Sequence, residues 1–126
     1  MPKKILLVED EKILSEMYQT KLEREKFEVV NVEDGGEVLE KVKKEKPDLI
    51  LLDVILPKTN GFDILAELKA NSKLKNIPVI MLTNLGQEED IKKGKELGAK
   101  DYIVKANSTP AQVVEKVKKI IWFKKN

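Results

Sequence analysis

Short runs of apolar residues alternate along this chain with segments whose apolar residues recur at helical spacing. Uninterrupted apolar runs fill positions 5–8, 49–52 and 79–82. Runs of this length without polar positions are typical of strands that are buried on both faces of a parallel sheet. The mixed run at 29–32 predicts a less buried strand near a sheet edge, and the run at 102–104 predicts a fifth strand.

Helical patterns separate these predicted strands. In the first helical pattern, apolar residues recur three to five positions apart, at Ile13, Leu14, Met17, Tyr18 and Leu22. Later patterns end before Pro47 and at Gly98, a residue type that commonly terminates helices. The sequence Thr-Pro-Ala-Gln at 109–112 predicts the start of the last helix, with threonine as its cap. Trp122 and Phe123, at the end of that helix, are expected to cover the core; the alternative is an exposed apolar patch that binds a partner.

The predicted elements alternate as strand and helix five times, and this alternation indicates the fold class. A chain of 126 residues has the length of one domain, which we assign to residues 1–126. Every connection between successive strands is long enough for a right-handed helical crossover. The sequence therefore predicts a doubly wound α/β domain of the flavodoxin-like (βα)₅ type, with a parallel five-stranded sheet in the order 2-1-3-4-5.

The composition excludes several classes of function. The chain contains no cysteine and no histidine, which rules out disulfides, thiol catalysis, serine–histidine triads and zincin motifs. Its 24 basic and 22 acidic residues are interleaved, so we expect no concentrated basic patch for nucleic acid or anionic lipid. With no long apolar segment and no export signal, we expect a cytoplasmic protein that binds neither nucleic acid directly nor membranes.

Polar residues follow the predicted strands at the point where each strand ends. Glu9 and Asp10 follow the first strand, Asp53 the third, Thr83 the fourth and Lys105 the fifth. The carboxyl ends of parallel strands lie at one edge of the sheet, where the order 2-1-3-4-5 brings the three carboxylates together. Each residue also has an ordinary alternative, such as a helix cap for Asp10 or a solvated surface position for Lys105.

Three neighbouring carboxylates repel one another unless a cation lies between them. Carboxylate oxygens are the metal ligands that this cluster offers, so the hard cation Mg²⁺ is the predicted cofactor. A metal-bound carboxylate beside a lysine is well placed to attack phosphorus. The lysine and the cation can then neutralise charge on the transferring phosphoryl group, and Thr83 can donate a hydrogen bond to that group.

Together, these residues resemble the receiver domain of two-component response regulators, over essentially the whole chain. The resemblance lies in positions 7–11 (Leu-Val-Glu-Asp-Glu), 53–57 (Asp-Val-Ile-Leu-Pro) with Gly61, 79–83 (Val-Ile-Met-Leu-Thr), and 98–102 (Gly-Ala-Lys-Asp-Tyr) followed by Lys105. It implies a signalling switch and not an enzyme. Such a switch catalyses only its own phosphorylation and slow dephosphorylation. The implied phosphodonor is a sensor histidine kinase or a histidine phosphotransfer protein, and the downstream protein target stays open.

The resemblance implies that Asp53 is the phosphoacceptor. It also implies that Mg²⁺ is held by the carboxylates of Asp10 and Asp53 and by the backbone carbonyl of Ile55. Glu9 is expected to act on the metal directly or through water. The chain has no histidine of its own, which agrees with a phosphohistidine donor on another molecule.

The resemblance assigns the remaining site positions to charge neutralisation and switching. Lys105 is expected to pair with the phosphoryl oxygens, and Thr83 is expected to move toward them. Tyr102 matches the aromatic residue that rotates inward with the threonine and alters the face formed by helix four, strand five and helix five. Ile55 and Leu85 occupy positions that tune hydrolysis; both are apolar and cannot orient water, so we expect a long-lived phospho-form.

Three positions depart from the pattern of the family. The acidic pair is Glu9-Asp10 instead of two aspartates, which changes reach but not charge. Asn84 stands where a small residue is usual, and we expect it to narrow access to Asp53 and change the rates of phosphorylation and hydrolysis. Ala106 stands where proline is usual, often after a cis bond, so we expect either a trans Lys105–Ala106 bond in a shifted loop or a strained cis bond.

Three other functions are weighed against the signalling switch. A phosphatase of the haloacid-dehalogenase type needs a carboxylate two residues after its nucleophile, and that position here is Ile55. A flavin or nucleotide binder needs a glycine-rich loop after the first strand, where this chain has the acidic sequence at 9–11. The alternative that stays open is a receiver-like binding module that is not phosphorylated.

Overall fold

The computed structural model describes residues 2–122 and shows strands and helices in alternation. The strands are β1 (Lys4–Val8), β2 (Glu28–Val32), β3 (Leu49–Leu52), β4 (Ile55–Leu56), β5 (Thr59–Asn60), β6 (Val79–Thr83) and β7 (Asp101–Val104). The α-helices are α1 (Lys12–Arg24), α2 (Val38–Glu45), α3 (Gly61–Ala70), α4 (Glu88–Glu96) and α5 (Pro110–Trp122).

Five of these strands form one parallel sheet in the order β2-β1-β3-β6-β7. The strands predicted as fourth and fifth are β6 and β7, so the predicted order 2-1-3-4-5 is confirmed. Strands β4 and β5 form a separate antiparallel hairpin that the sequence did not indicate. Strand β2 lies at an edge, as predicted. Val8 pairs with both Val32 and Leu52, so β1, β2 and β3 end level with one another.

The core lies on both faces of this sheet, which explains why the central strands are apolar throughout. Successive side chains of a strand point to opposite faces. Leu6 and Leu52 belong to the cluster that packs against α2 and α3, whereas Leu7 and Leu51 belong to the cluster that packs against α1 and α5. All four side chains are almost completely buried.

Only some of the periodic apolar residues of α1 face the core. Tyr18 and Leu22 are buried, and Leu14, four positions before Tyr18, packs against them. Ile13 and Met17 form a neighbouring row of the helix and are 76% and 43% exposed. Each residue turns an α-helix by about 100°, so two rows one position apart face different surroundings.

The predicted helix ends of α4 and α5 are confirmed. Gly98 follows α4 with a φ of +109°, in the region that favours glycine. At the start of α5, the Gln112 backbone N–H donates to Thr109 Oγ1 at 3.1 Å, and the Thr109 N–H donates to Gln112 Oε1 at 2.9 Å. These two bonds form the predicted capping box.

The end of α5 covers the core only in part. The Trp122 ring stacks on Phe27 with a centroid separation of 6.0 Å and stays about half exposed. Phe123, expected to share this packing, lies outside the described residues. Among residues 2–122, no helix has the length and apolar character that a bilayer crossing requires.

The two rows of α1 generate a stability prediction. We expect Leu22→Ala to lower the free energy of unfolding by about 2–5 kcal/mol, because a fully buried side chain is lost and a cavity remains. The matched control Ile13→Ala, on the exposed row of the same helix, should change it by less than about 0.5 kcal/mol. Urea unfolding measures both, and equal losses would contradict the assignment of the rows.

Candidate functional site

The structure brings the predicted polar residues to one edge of the sheet. Glu9 and Asp10 follow β1, Asp53 follows β3, Thr83 ends β6, and Lys105 follows β7. The Lys105 Nζ donates hydrogen bonds to Glu9 Oε1 at 2.5 Å and to Asp53 Oδ2 at 2.8 Å. The lysine that follows the edge strand β7 thus bridges carboxylates that follow the interior strands β1 and β3.

Three carboxylates form an acidic cluster at this edge. One carboxylate oxygen from each of Glu9, Asp10 and Asp53 lies within 4.8 Å of the others. Glu9 and Asp53 are buried, and Asp10 is the most accessible of the three. The helix-cap alternative for Asp10 is not seen, because α1 begins after Glu11. Hard oxygen donors at this separation fit a divalent cation such as Mg²⁺.

Burial and hydrogen bonding act in opposite directions on the charged groups. Burial raises the pKa of the Glu9 carboxyl above its ordinary value, although the hydrogen bond from Lys105 opposes this. For Lys105, burial is the largest single influence and lowers the pKa, but the hydrogen bonds with Asp53 and Glu9 and the negative charges of these residues together outweigh burial and raise it. The ammonium group of Lys105 therefore stays charged at neutral pH.

The Asp53 carboxylate is held from both sides. Its Oδ2 accepts the bond from Lys105, and its Oδ1 accepts the Ile55 backbone N–H at 3.1 Å. The hairpin of β4 and β5 then folds back so closely that a Cβ at Gly61 would lie 2.1 Å from the Asp53 carbonyl oxygen. The spacing between Asp53 and Gly61 is visible in the sequence, but this reason for the glycine is not.

Thr83 and Tyr102 both contact Leu85. The fully buried Thr83 accepts the Leu85 backbone N–H on Oγ1 at 3.3 Å. The Tyr102 hydroxyl donates to the Leu85 carbonyl at 2.5 Å, and its ring lies inside the fold with 8% exposure. Burial raises the pKa of Tyr102 to about 12, so the hydroxyl keeps its proton. The two predicted switch residues are therefore joined through one loop residue.

Asn84 makes a contact that sequence reasoning missed. Its Oδ1 accepts the Ala106 backbone N–H at 3.0 Å, which ties the β6–α4 loop to the turn that follows Lys105. The Lys105–Ala106 bond is trans, so the strained cis bond is not observed; the shift of the loop stays a prediction. A proline at 106 has no N–H to donate. Asn84 and Ala106, which both depart from the family pattern, are thus hydrogen-bonded to each other. The sequence signal for this contact was the departure at both positions.

We predict that the hydrogen bond to Asn84 protects the Ala106 backbone N–H from hydrogen exchange with water. In Asn84→Ala the acceptor is lost, and hydrogen exchange of the Ala106 N–H should accelerate several-fold, because a backbone donor becomes open to water. Asn84→Asp keeps an acceptor oxygen and should retain most of the protection. NMR-detected amide exchange measures both variants, and an unchanged rate in Asn84→Ala would contradict the contact.

Comparison with known proteins identifies the family. A model of the response regulator receiver domain matches residues 5–118. The alkaline phosphatase synthesis transcriptional regulatory protein PhoP of Bacillus subtilis is 43% identical over 121 residues, which cover 96% of this chain and 49% of PhoP. The chain thus spans about half the length of the curated relatives it matches.

Solved structures agree with this match. The phosphorylated cyanobacterial phytochrome response regulator RcpA superposes with a TM-score of 0.88 and 37% identity, covering 100% of this chain and 98% of RcpA. The Mn²⁺-bound response regulator Rcp1 superposes with a TM-score of 0.84 and 34% identity, covering 99% and 97%. The chain belongs to the receiver domains of two-component response regulators.

Proposed function

We propose that this receiver domain is a phosphorylation-activated switch in which Asp53 accepts a phosphoryl group from a phosphohistidine of a partner protein. The observation that carries the proposal is the contact of the Asp53 carboxylate with Lys105, with the carboxylates of Glu9 and Asp10 beside it. The partner is a sensor histidine kinase or a histidine phosphotransfer protein, because the chain has no histidine to serve as its own donor.

The proposed transfer needs a nucleophile that is fixed in position and charge that is neutralised. A carboxylate oxygen of Asp53 forms a bond to phosphorus while the phosphorus–nitrogen bond of the donor breaks, and the electron pair leaves with the donor imidazole, which takes up a proton. The Ile55 N–H orients the carboxylate. Lys105, which stays charged, neutralises the phosphoryl oxygens, and the Thr83 hydroxyl donates to one of them.

Glu9, Asp10 and Asp53 would hold Mg²⁺, together with the backbone carbonyl of Ile55. When bound, the cation supplies neutralisation of charge on the transferring phosphoryl group. The donor set supports this assignment: Lys105 pairs with Glu9 and Asp53 and lies 3.9 Å from Glu11, whereas Asp10, the third member of the cluster, has no ion pair among the described residues. The Mn²⁺-bound form of Rcp1, a structural relative, also supports a divalent cation in this fold.

The proposed output is protein–protein contact through the face of α4, β7 and α5. Leu85 is hydrogen-bonded both to Thr83, which ends β6 at the acidic edge, and to Tyr102 on β7. The transcriptional function in the name of PhoP is not extended to this chain, because the match spans only about half of PhoP. A cytoplasmic location and the absence of direct nucleic-acid and membrane binding stay predictions.

Phosphorylation is tested first with a small-molecule phosphodonor. Incubation of the protein with acetyl phosphate and Mg²⁺ should add one phosphoryl group, measured as intact mass, because Asp53 is oriented and partly neutralised for attack. Asp53→Asn and addition of EDTA should each abolish the adduct. Asn keeps the size of the side chain but removes the nucleophilic carboxylate oxygen.

The alternative function predicts a different result from the same measurement. If no adduct forms although Mg²⁺ is shown to bind, the chain is a receiver-like binding module that is not phosphorylated. Asn84 and the Lys105–Ala106 turn are then the first positions to change, since Asn84 is expected to narrow access to Asp53.

The lifetime of the phospho-form is predicted to be long. Ile55 is 59% exposed at the edge of the site, and Leu85 is half-buried; neither side chain can hold a water molecule for attack on phosphorus. Ile55→Asn should shorten the half-life of the purified phosphoprotein several-fold, as followed by loss of the added mass. Lys58→Asn, on the exposed turn of the same hairpin, is the matched control, and rapid loss from the unchanged protein would refute the prediction.

A further inference from the structure

Gly94 lies inside α4 at a place where a side chain has no room. A Cβ added there would lie 2.8 Å from Tyr102 Cδ2, 3.1 Å from Tyr102 Cε2 and 3.5 Å from Met81 Cγ. The first distance is shorter than real Cβ atoms show, so a larger residue would force a neighbour to move. The Tyr102 ring therefore occupies the space that a side chain at 94 would take.

The backbone does not explain this glycine. Gly98, not Gly94, has a positive φ, so position 94 has no backbone requirement that other residues cannot meet. A glycine inside a helix is less favourable than alanine, because it loses more conformational freedom on folding. The feature that offsets this loss is the packing of the Tyr102 ring against the bare helix backbone.

Of the two neighbours, the tyrosine ring is the one that can yield. Met81 is completely buried in β6, with both faces of the sheet packed around it. Tyr102 stands on β7, the edge strand, and a Cβ at Gly94 would push its ring away from α4 toward solvent. That movement would take the hydroxyl off the Leu85 carbonyl.

We propose that Gly94 is a positioning residue for the Tyr102 switch: by leaving a gap in α4 it sets the inward position of the ring and so the form of the α4–β7–α5 face. The inference rests on the proposed function, because it assigns the control of that face. A side chain at 94 biases the ring outward without touching Asp53, Thr83 or Lys105.

Solvent exposure of the Tyr102 ring tests the proposal directly. The chain has two tyrosines, so protein labelled with 3-fluorotyrosine gives two ¹⁹F signals, which Tyr18→Phe assigns. A soluble gadolinium chelate should relax the Tyr102 signal several-fold faster in Gly94→Ala than in the unchanged protein. Lys95→Ala, at the next and exposed position of α4, should leave the relaxation unchanged. Equal relaxation in Gly94→Ala and the unchanged protein would overturn the proposal.

A double-mutant comparison separates the ring from general damage to the helix. With Tyr102 present, Gly94→Ala should lower the urea midpoint of unfolding, because the ring is displaced. In a Tyr102→Ala background the same change should raise the midpoint, since alanine favours the helix and nothing obstructs it. The same shift in both backgrounds would contradict the proposal. Neither readout needs phosphorylation, so failure of the acetyl phosphate experiment would overturn the proposed function separately.

Discussion

The hydrogen-bonded contact of Lys105 with Glu9 and Asp53 is the interaction on which the rest of the site depends. The three side chains follow β7, β1 and β3, and all three are nearly buried. A buried charge without a partner costs several kcal/mol, so these strands must end where the lysine can reach both carboxylates. The sheet order and the register of β1 with β3 meet that condition. The edge stays acidic, because Lys105 pairs with Glu9 and Asp53 while Asp10, the third carboxylate of the cluster, has no ion pair within the described part of the chain.

The acidic cluster and the fixed Asp53 carboxylate support the proposed binding of a cation and a phosphoryl group, and hydrogen bonds join the loop after β6 to neighbouring elements. Thr83 and Tyr102 meet at Leu85, while Asn84 ties the same loop to the turn after Lys105. The space at Gly94 lets the tyrosine ring take part in that connection.

Much of the fold follows from local pattern, because strand and helix periods differ and both faces of the central strands are buried. The parallel sheet was predictable for this reason, whereas the cap at Thr109 and the helix end at Gly98 were predictable from the residue types at those positions. The hairpin after Asp53 was not predicted, since its two-residue strands are too short to show a period. The exposed row of Ile13 in α1 was not predicted either, because apolar spacing identifies a helix but not which of two adjacent rows meets the core.

For the site, the sequence by itself determined which residue types stand at the strand ends, and parallel geometry was enough to predict that Glu9, Asp10, Asp53 and Lys105 share one edge. Only the tertiary structure decided which atoms meet. Lys105 donates hydrogen bonds to two carboxylates, and the Ala106 N–H donates one to Asn84. Both contacts join residues that are far apart in the chain. The room for Tyr102 beside Gly94 has the same origin. These contacts depend on distances between elements, which a one-dimensional pattern does not contain.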